Sequence, residues 1–182
     1  LKSYQEKARK QYLEMMRNKL GLFSEEEKDA ELIFGLEEIL QFTETDMTII
    51  FRNLSVFSTE NPSEGLEIVK DAFYIPNEVS DTIREEWNIW FADYATRLKK
   101  ETISSEERKE KMNAVNPKYV LRNYMSQLAI DDANKGDYKL IDELFQLLKK
   151  PYDEQPENEK WFAKRPDWAR HKVGCSMLSC SS

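Results

Sequence analysis

Residues 77–100, which read NEVSDTIREEWNIWFADYATRLKK, decide the fold class of this chain. Large apolar side chains recur there at steps of three and four residues, which is the spacing of one face of an α-helix. The positions on this face are Val79, Ile83, Trp87, Trp90, Phe91, Tyr94 and Leu98. Tryptophans at this spacing bury a large area against neighbouring helices, so we predict a long core helix rather than a ligand platform.

The helical period continues on both sides of this stretch. One helix is predicted to begin at Ser24, because its side chain can cap a free amide while Glu27 reaches back to the start of the helix. Another is predicted to begin at Asn116-Pro117, since asparagine is a good cap and proline suits the first helical position. No alternating pattern is long enough to indicate a strand. We therefore predict an all-α, bundle-like fold.

The character of the chain changes at Pro151. The helix predicted before it begins with Asp137 as its cap. Its inward-facing residues are predicted to be Tyr138, Ile141, Leu144, Phe145 and Leu148. After Pro151 the sequence turns to prolines, charges and isolated aromatic residues, a composition that predicts an extended arm lying on the helical body. The predicted organisation is an α-helical domain over 1–150, followed by an extended arm with a cysteine-containing tail over 151–182.

Composition excludes several classes of protein. The chain has 182 residues, of which 40% are hydrophobic and 12% aromatic, so it can bury a core of one or two domains. A charged fraction of 34% and a net charge of −7 favour a soluble intracellular protein over one built around a polyanion. No apolar run approaches the ~20 residues that span a bilayer, so we expect no membrane partner. Five glycines leave no glycine-rich loop to hold a phosphate.

The arm mixes basic and aromatic side chains in a way that also suits single-stranded nucleic acid. These residues are Lys160, Trp161, Phe162, Lys164, Arg165, Trp168, Arg170 and Lys172. The acidic balance of the whole chain argues against such binding, because a wider basic footprint is expected of nucleic-acid-binding proteins. We therefore expect no nucleic-acid partner, and we interpret the tryptophans as anchors of the arm on its own domain.

Both cysteines of the chain lie in the stretch 174–182, GCSMLSCSS. A thiol in a polar terminal segment can reach other sulfurs, so Cys175 and Cys180 are candidates for redox chemistry, or else incidental thiols. A bond between them would close a small loop worth only about 2 kcal/mol. The sole histidine, His171, and two cysteines fall short of a zinc site, and no metal site or catalytic triad is predicted.

Six short motifs occur in order toward the end of the chain, and together they resemble the carboxyl-terminal end of the selenoprotein O family. They are Asn113-Ala114-Val115-Asn116-Pro117, Val120-Leu121-Arg122-Asn123-Tyr124, Lys135-Gly136-Asp137-Tyr138, Pro151-Tyr152, Lys164-Arg165-Pro166-Asp167-Trp168 and Cys180-Ser181-Ser182. Members of that family are kinase-like (pseudokinase) proteins that transfer AMP from ATP to protein hydroxyls. They carry a selenocysteine or cysteine third from the end, and Cys180 matches that position.

The resemblance implies that the catalytic machinery lies outside this chain. The family's nucleotide-binding lysine, its glutamate partner, its catalytic aspartate and its metal ligands precede the matched region. The chain is therefore expected to contain no catalytic, cofactor-binding or metal-binding residue. It also begins at Leu1 without a methionine, as a piece of a longer protein would. ATP and magnesium or manganese are implied for the parent, an AMP-transferring nucleotidyltransferase, and this region is expected to be inactive alone.

For this region the resemblance implies two partners, the kinase-like lobe of the parent and, through it, the parent's protein substrates. It also suggests that Cys180 pairs with a cysteine near the parent's active site and restrains activity until reduced, with Cys175 able to resolve that bond. The expected compartment is the cytoplasm in a bacterium or the mitochondrion in a eukaryote. The alternative is a non-enzymatic helical module that binds a partner protein. Arg122, Asn113 and Asn116, although they lie within the matched motifs, are better explained as structural residues.

Overall fold

The computed structural model describes residues 2–172 and residue 175. Over these residues the chain forms α-helices and short 3-10 helices, and the only β pairing among them is an isolated antiparallel bridge between Thr45 and Phe73. The predicted all-α fold is confirmed. Among the same residues, no helix combines the length and apolar content that crossing a bilayer requires.

The α-helices are α1 (Lys2–Lys19), α2 (Asp29–Ile39), α3 (Met47–Asn53), α4 (Gly65–Val69), α5 (Asp81–Leu98), α6 (Ser105–Val115), α7 (Asn123–Ala133) and α8 (Lys139–Leu148). The chain divides into two compact units, which we call the first unit (residues 1–116) and the second unit (residues 117–182). The domain boundary predicted at residue 150 remains a prediction, whereas these compact units meet between residues 116 and 117.

The aromatic face of α5 forms the core of the first unit, as predicted. Trp87 is fully buried, stacks on Phe91 at 5.4 Å between ring centroids and meets Phe73 edge-on at 5.9 Å. Trp90 stacks on Tyr94 at 4.9 Å. The helix begins where Ser80 accepts a hydrogen bond from the amide of Ile83, so the cap and the apolar face agree on its register.

The predicted helix start at Ser24 is wrong, because α2 begins at Asp29. The hydroxyl of Ser24 donates to Glu101 Oε1 at 2.7 Å, a residue far along the chain. Arg97 completes this cluster, with Nε at 2.5 Å from Asp29 Oδ1 and Nη1 at 2.7 Å from Glu101 Oε1. A side chain committed to a tertiary ion cluster does not cap a local helix, and this long-range contact is invisible in the sequence.

The helix predicted from Asn116-Pro117 begins instead at Asn123. Asn116 ends α6, and its side-chain amide donates to the carbonyl of Lys19 at 2.8 Å. Arg52 Nη1 donates to the carbonyl of Asn116 at 2.9 Å. Asn116 therefore serves as a structural end-of-helix residue of the first unit rather than as the cap of the next helix.

In the second unit, α7 and α8 are joined through Gly136, whose φ of +85° is the left-handed conformation that favours glycine. Asp137 was predicted to cap α8, but the N-cap is Tyr138, and Asp137 lies one residue before it, where it accepts a hydrogen bond from the amide of Lys139 at 3.0 Å. The core of this unit consists of Tyr119, Tyr124, Met125, Ala129, Leu144, Leu147, Trp161, Ala169 and Cys175.

The inward face predicted for α8 is half wrong. Leu144 is buried and Leu148 packs against the core, as predicted. Tyr138 and Phe145 are each 61% exposed and Ile141 is 44% exposed. The apolar stripe of α8 is wider than the surface that the rest of the second unit covers.

Candidate functional site

The arm that leads to the two cysteines is fastened to α8 near its middle. It folds into two 3-10 helices, Pro156–Trp161 and Asp167–Arg170. Trp161 is buried, and its indole N–H donates to Glu143 Oε1 at 2.8 Å, while Lys160 Nζ lies 2.6 Å from the same oxygen. Hydrogen bonds from Lys160 and then Trp161 hold the pKa of Glu143 below its usual value. The Glu143 carboxylate thus attaches the arm to α8 by accepting from two donors.

A second attachment lies near the end of the arm. Lys172 forms an ion pair with Asp131 of α7, and the pKa of Asp131 is lowered by the hydrogen bond from Lys172 and then by that from Gln127. The Lys172 ammonium lies 5.5 Å from the centre of the Trp168 ring, which meets Tyr124 edge-on at 6.2 Å. These basic and aromatic residues of the arm therefore contact their own unit, while the expectation of no nucleic-acid partner remains a prediction.

The start of the arm is held by Lys118 and Tyr119. The backbone amides of both residues donate to the carbonyl of Pro151, at 2.8 and 3.0 Å. The Lys118 ammonium contacts Glu159 at 2.6 Å and Glu154 at 3.1 Å. Burial lowers the pKa of Lys118, but these carboxylates outweigh burial and leave the pKa above its usual value. The charged form is therefore the one the folded arm favours.

Cys175 lies in the core of the second unit, where the sequence led us to expect a thiol free to reach other sulfurs. Its side chain is fully buried, its amide donates to the carbonyl of Lys172 at 3.0 Å, and its sulfur lies 4.0 Å from the carbonyl of Asn123. A cysteine in this setting packs as a small apolar side chain. Its predicted part in redox chemistry remains a prediction, and burial gives it a structural role at the foot of the tail.

Cys180 lies outside the described residues. Its pairing, whether with Cys175, with a cysteine of the parent or with none, stays a prediction. His171 is described and exposed. Over residues 2–172 and 175, no three histidine, cysteine, aspartate or glutamate side chains are grouped so that they could hold a metal ion.

Arg122 has the surroundings of a structural residue, which is the interpretation the sequence favoured. It is buried and immediately precedes α7, where its amide donates to Met125 Sδ at 3.4 Å. Asn123 begins that helix and offers its carbonyl to Cys175. The motif over residues 120–124 therefore forms the start of α7 and supplies a carbonyl that contacts Cys175.

The residues that hold the arm were not identified from the sequence. Glu143, Asp131 and Lys118 each lie at least 17 positions from the partners that they bind in the arm. Carboxylates on a helix surface carry no sequence signal that separates a partner of the arm from a solvated charge. Only the packing of the second unit distinguishes them.

Comparison of the sequence with known proteins finds a matching family model and similar bacterial proteins. The family model described as "Protein adenylyltransferase SelO" matches residues 1–149. The chain is also similar to bacterial proteins that are named "Protein nucleotidyltransferase YdiU".

The relative from Flavobacterium johnsoniae is 61% identical over 172 residues, covering 94% of this chain and 33% of the relative. The relative from Aromatoleum aromaticum is 46% identical, covering 92% of this chain and 32% of its own length. The relative from Rhodopirellula baltica is 44% identical, covering 98% and 35%. The chain thus spans about a third of the length of the curated relatives that it matches.

Proposed function

Because the chain belongs to the SelO family of protein adenylyltransferases, we propose that it forms the carboxyl-terminal helical region of an enzyme that transfers AMP from ATP to hydroxyl groups of serine, threonine or tyrosine in other proteins. The observation that carries this proposal is the family match over most of the chain together with relatives that are named nucleotidyltransferases. Transfer to proteins, rather than to another acceptor, is part of the proposal.

In this proposal the catalytic groups, ATP and its magnesium or manganese ion belong to the parent's upstream region. The described residues of this chain do not fit such a site, because they group no set of three metal ligands. The four glycines among them are also scattered, at positions 21, 35, 65 and 136. A nucleotide phosphate cradle instead needs several backbone amides of one loop turned toward the same point. No chemical step is therefore assigned to this chain.

The role proposed for this region is to support the catalytic lobe. Two apolar side chains of α1 favour that role, because the described part of the chain leaves them exposed. Tyr4 is 76% exposed and Met15 is 48% exposed, although their spacing is that of a helix face. An exposed apolar face of this kind is typical of a surface that packs against another structure. The kinase-like lobe is the partner that the family suggests.

The second part of the proposal concerns Cys180 as a redox-sensitive contact. Burial of Cys175 supports pairing of Cys180 with a cysteine of the parent over a local Cys175–Cys180 bond, because a local bond requires Cys175 to leave its core position. Oxidation would join two thiols as a disulfide with loss of two electrons and two protons to a cellular oxidant. A dithiol reductant would restore both thiols by exchange, with its own sulfurs becoming the disulfide.

The fixed position of Cys175 limits where the partner cysteine can lie. Cys180 follows Cys175 by five residues, and five extended residues span at most about 18 Å. A disulfide adds about 6 Å between the two Cα atoms. The partner's Cα must therefore lie within roughly 24 Å of the Cα of Cys175, a limit that a structure of the longer protein can check.

The experiment that tests the proposal is AMP transfer from ATP labelled at the α-phosphate. It is run on this chain and on the protein extended through its natural upstream reading frame, each with and without a dithiol reductant. We expect label on the longer protein or its substrates and none on this chain. Absence of label from both would favour the non-enzymatic interaction module.

Matched cysteine variants of the longer protein separate the redox role from the activity. Cys180→Ser is expected to be as active without reductant as the wild type is with it. Cys175→Ala keeps an apolar side chain in the core and is the control, for which we expect activation by reductant to persist. Equal activation of Cys180→Ser and the wild type by reductant would contradict a role for Cys180.

The compartment and the partners complete the proposal. The bacterial relatives favour the cytoplasm over the mitochondrion. In a reducing cytoplasm a disulfide of Cys180 would form transiently, during oxidative stress, rather than as a permanent bond. Peptide mapping without reductant, on cells before and after an oxidant, would detect the predicted bond.

A further inference from the structure

A groove runs along the surface of the first unit between α2 and α5. The two helices are antiparallel, since Arg97 near the end of α5 pairs with Asp29 at the start of α2. Farther along, the indole N–H of Trp90 donates to the carbonyl of Leu32 at 2.9 Å. These two contacts fix the separation of the helices and hence the width of the groove.

The floor of the groove is apolar and open. Its volume is about 440 Å3, and the apolar part of its lining consists of Leu32, Gly35, Ile39, Phe42, Ile89 and Trp90. Phe42 is 51% exposed and Ile89 is 59% exposed. Gly35 contributes no side chain, so the middle of the floor stays low. Large apolar side chains left exposed around a depression indicate a surface that binds an apolar group.

Acidic residues stand on both walls of the groove. Glu31 and Glu38 lie on α2, and Glu86 and Asp93 lie on α5. Each pair is seven residues apart, which is two helical turns or about 10 Å. All four are exposed, and none forms an ion pair with any residue that the structure describes. The groove therefore presents two parallel rows of unneutralised negative charge beside an apolar floor.

The basic residues along the groove do not cancel this charge. Arg97 is neutralised by Asp29 and Glu101, and Lys100 by Glu26 at 2.6 Å. Lys28 also lines the groove, at the end where α2 begins. The excess of negative charge thus lies in the middle of the groove and toward Phe42.

We propose that this groove binds a basic amphipathic helix of another protein. The apolar stripe of such a helix would cover the floor, and lysines or arginines on its two flanks, spaced two turns apart, would meet the acidic rows. Helix-in-groove binding of this kind is an established mode of recognition. The arm of a second copy of this chain fits less well, because its Trp161, Lys160 and Lys172 are engaged within their own unit.

A second apolar groove, between α7 and α8, helps to separate the effect of charge from that of apolar surface. It has a similar volume of about 410 Å3, and its lining includes Ile130, Ile141 and Phe145. Its lining, as far as the structure describes the second unit, contains no charged residue and so does not specify the chemistry of an occupant. It serves as an internal control for binding that depends on apolar surface alone.

The probe is a synthetic peptide, blocked at both ends, about four helical turns long, with leucines on one face and lysines on both flanks. A second peptide carries glutamates in place of the lysines. Binding to the whole chain is followed by fluorescence anisotropy, and the site is located from amide chemical shifts. We expect the lysine peptide to bind and to perturb Gly35 and Ile89, and the glutamate peptide not to bind.

The acidic rows are tested by neutralising them together in a variant with Glu31→Gln, Glu38→Gln, Glu86→Gln and Asp93→Asn. We expect the affinity for the lysine peptide to fall about tenfold, equivalent to about 1.4 kcal/mol. Raising the salt concentration should weaken the wild type and leave this variant nearly unchanged, because exposed charges are screened. Lys28→Gln should act in the opposite direction and strengthen binding about twofold.

The matched control removes the same charge elsewhere, with Glu6→Gln, Glu14→Gln, Glu78→Gln and Glu110→Gln. These residues are exposed and have no ion pair among the described residues. We expect this control to retain the wild-type affinity within twofold. Equal weakening by both variants would show general attraction to an acidic protein and would overturn the proposal.

Two further outcomes would also overturn the proposal. The first is perturbation of Ile130 and Phe145 in place of Gly35 and Ile89, which would mean that the peptide prefers the uncharged groove. The second is binding to this chain but not to the protein extended through its upstream reading frame, which would mean that the parent itself covers the α2–α5 groove. Binding by both proteins would support a separate partner, and it would do so whether or not the parent transfers AMP.

Discussion

The two compact units stabilise charged residues in contrasting ways. In the first unit, the side chains of Arg97, Asp29 and Glu101 are each less than 8% exposed. In the second unit, Lys118 is also buried, but its partners Glu154 and Glu159 are more than half exposed. A buried carboxylate that loses its nearest cation is left poorly compensated, whereas an exposed carboxylate is readily solvated. Buried ion pairs therefore stabilise the first unit, whereas ion pairs with exposed carboxylates stabilise the arm of the second unit.

The cores differ in the same direction. In the first unit, four large aromatic rings on one face of α5 contact one another, namely Trp87, Trp90, Phe91 and Tyr94. The core of the second unit relies on smaller pieces, such as Ala129 and Ala169, and leaves large apolar side chains of α8 exposed. A short stretch of chain buries a smaller share of its surface, so this thinner core is expected. Substitutions at matched positions of the two units test whether the contrast holds.

The largest effect is expected for Trp87→Ala in the core of the first unit. Removing a fully buried indole that packs on Phe73 and Phe91 should lower the free energy of unfolding by about 4 kcal/mol. Urea denaturation measures the loss, and amide hydrogen exchange assigns it to a unit. Trp168→Ala, which removes a half-exposed ring of the second unit, should cost under about 1 kcal/mol. Similar losses for the two variants would break the comparison.

The next effect concerns one cation from each unit. Arg97→Met removes the nearest cation from the buried carboxylate of Asp29, leaves it with the longer contact to Arg17 Nε at 4.0 Å, and should cost about 3 kcal/mol. Lys118→Met frees two exposed carboxylates, which water can solvate, and should cost about 1 kcal/mol. The same denaturation and exchange measurements apply. A larger loss for Lys118→Met than for Arg97→Met would mean that the arm, not the interior cluster, carries the greater stabilisation.

The smallest effect is the dependence of stability on pH, for which Glu101 and Glu143 are compared. Burial alone raises the pKa of Glu101, but hydrogen bonds from Ser24 and Arg97 outweigh burial and lower its pKa below the usual 4.5. The pKa of Glu143 is lowered too. A carboxylate with a lowered native pKa adds stability above the unfolded value, and that stability is lost as the pH falls below about 4.5 through the native value.

Substitution by glutamine should remove each contribution and flatten the acid limb of the stability curve. Molar salt distinguishes the two sites, because the Lys160–Glu143 pair is largely exposed and the Arg97–Glu101 pair is buried. We expect salt to weaken the effect of Glu143→Gln, to which Lys160 contributes, and to leave that of Glu101→Gln nearly unchanged. Hydrogen exchange in α5 and in the arm reads out the two sites. Equal screening of both would contradict the buried placement of Glu101.

Local patterns predicted the helices whose signals are local. The apolar face over residues 77–100 predicted α5, and the cap that the structure shows at Ser80 is a local contact too. Ser24 and Asn116 misled the prediction because each is used by a residue far away in the chain, Glu101 for the first and Lys19 for the second. On α8, periodicity identified apolar positions such as Ile141 but could not indicate how many of them the unit covers.

The candidate site was predicted to a smaller extent. The role of Cys180 came from resemblance to a family and stays a prediction, and the burial of Cys175 did not follow from a short polar segment. Likewise, the sequence does not distinguish Glu31 and Asp93 from ordinary solvated charges on two separate helices. Their common position beside an apolar groove depends on the packing of α2 against α5, which no single-helix pattern contains.

The junction at Asn116 and Pro117 bears on how this chain can be divided genetically. Asn116 is hydrogen-bonded to Lys19 and Arg52 of the first unit, and the amide of Lys118 is hydrogen-bonded to Pro151 of the second. The chain thus passes from one hydrogen-bond network to the other within two residues. Pro117, between them, has no amide hydrogen to leave unpaired. Breaking the chain after Asn116 would leave both networks whole, which makes this peptide bond a natural choice for producing the two halves as separate polypeptides and for asking whether each folds by itself.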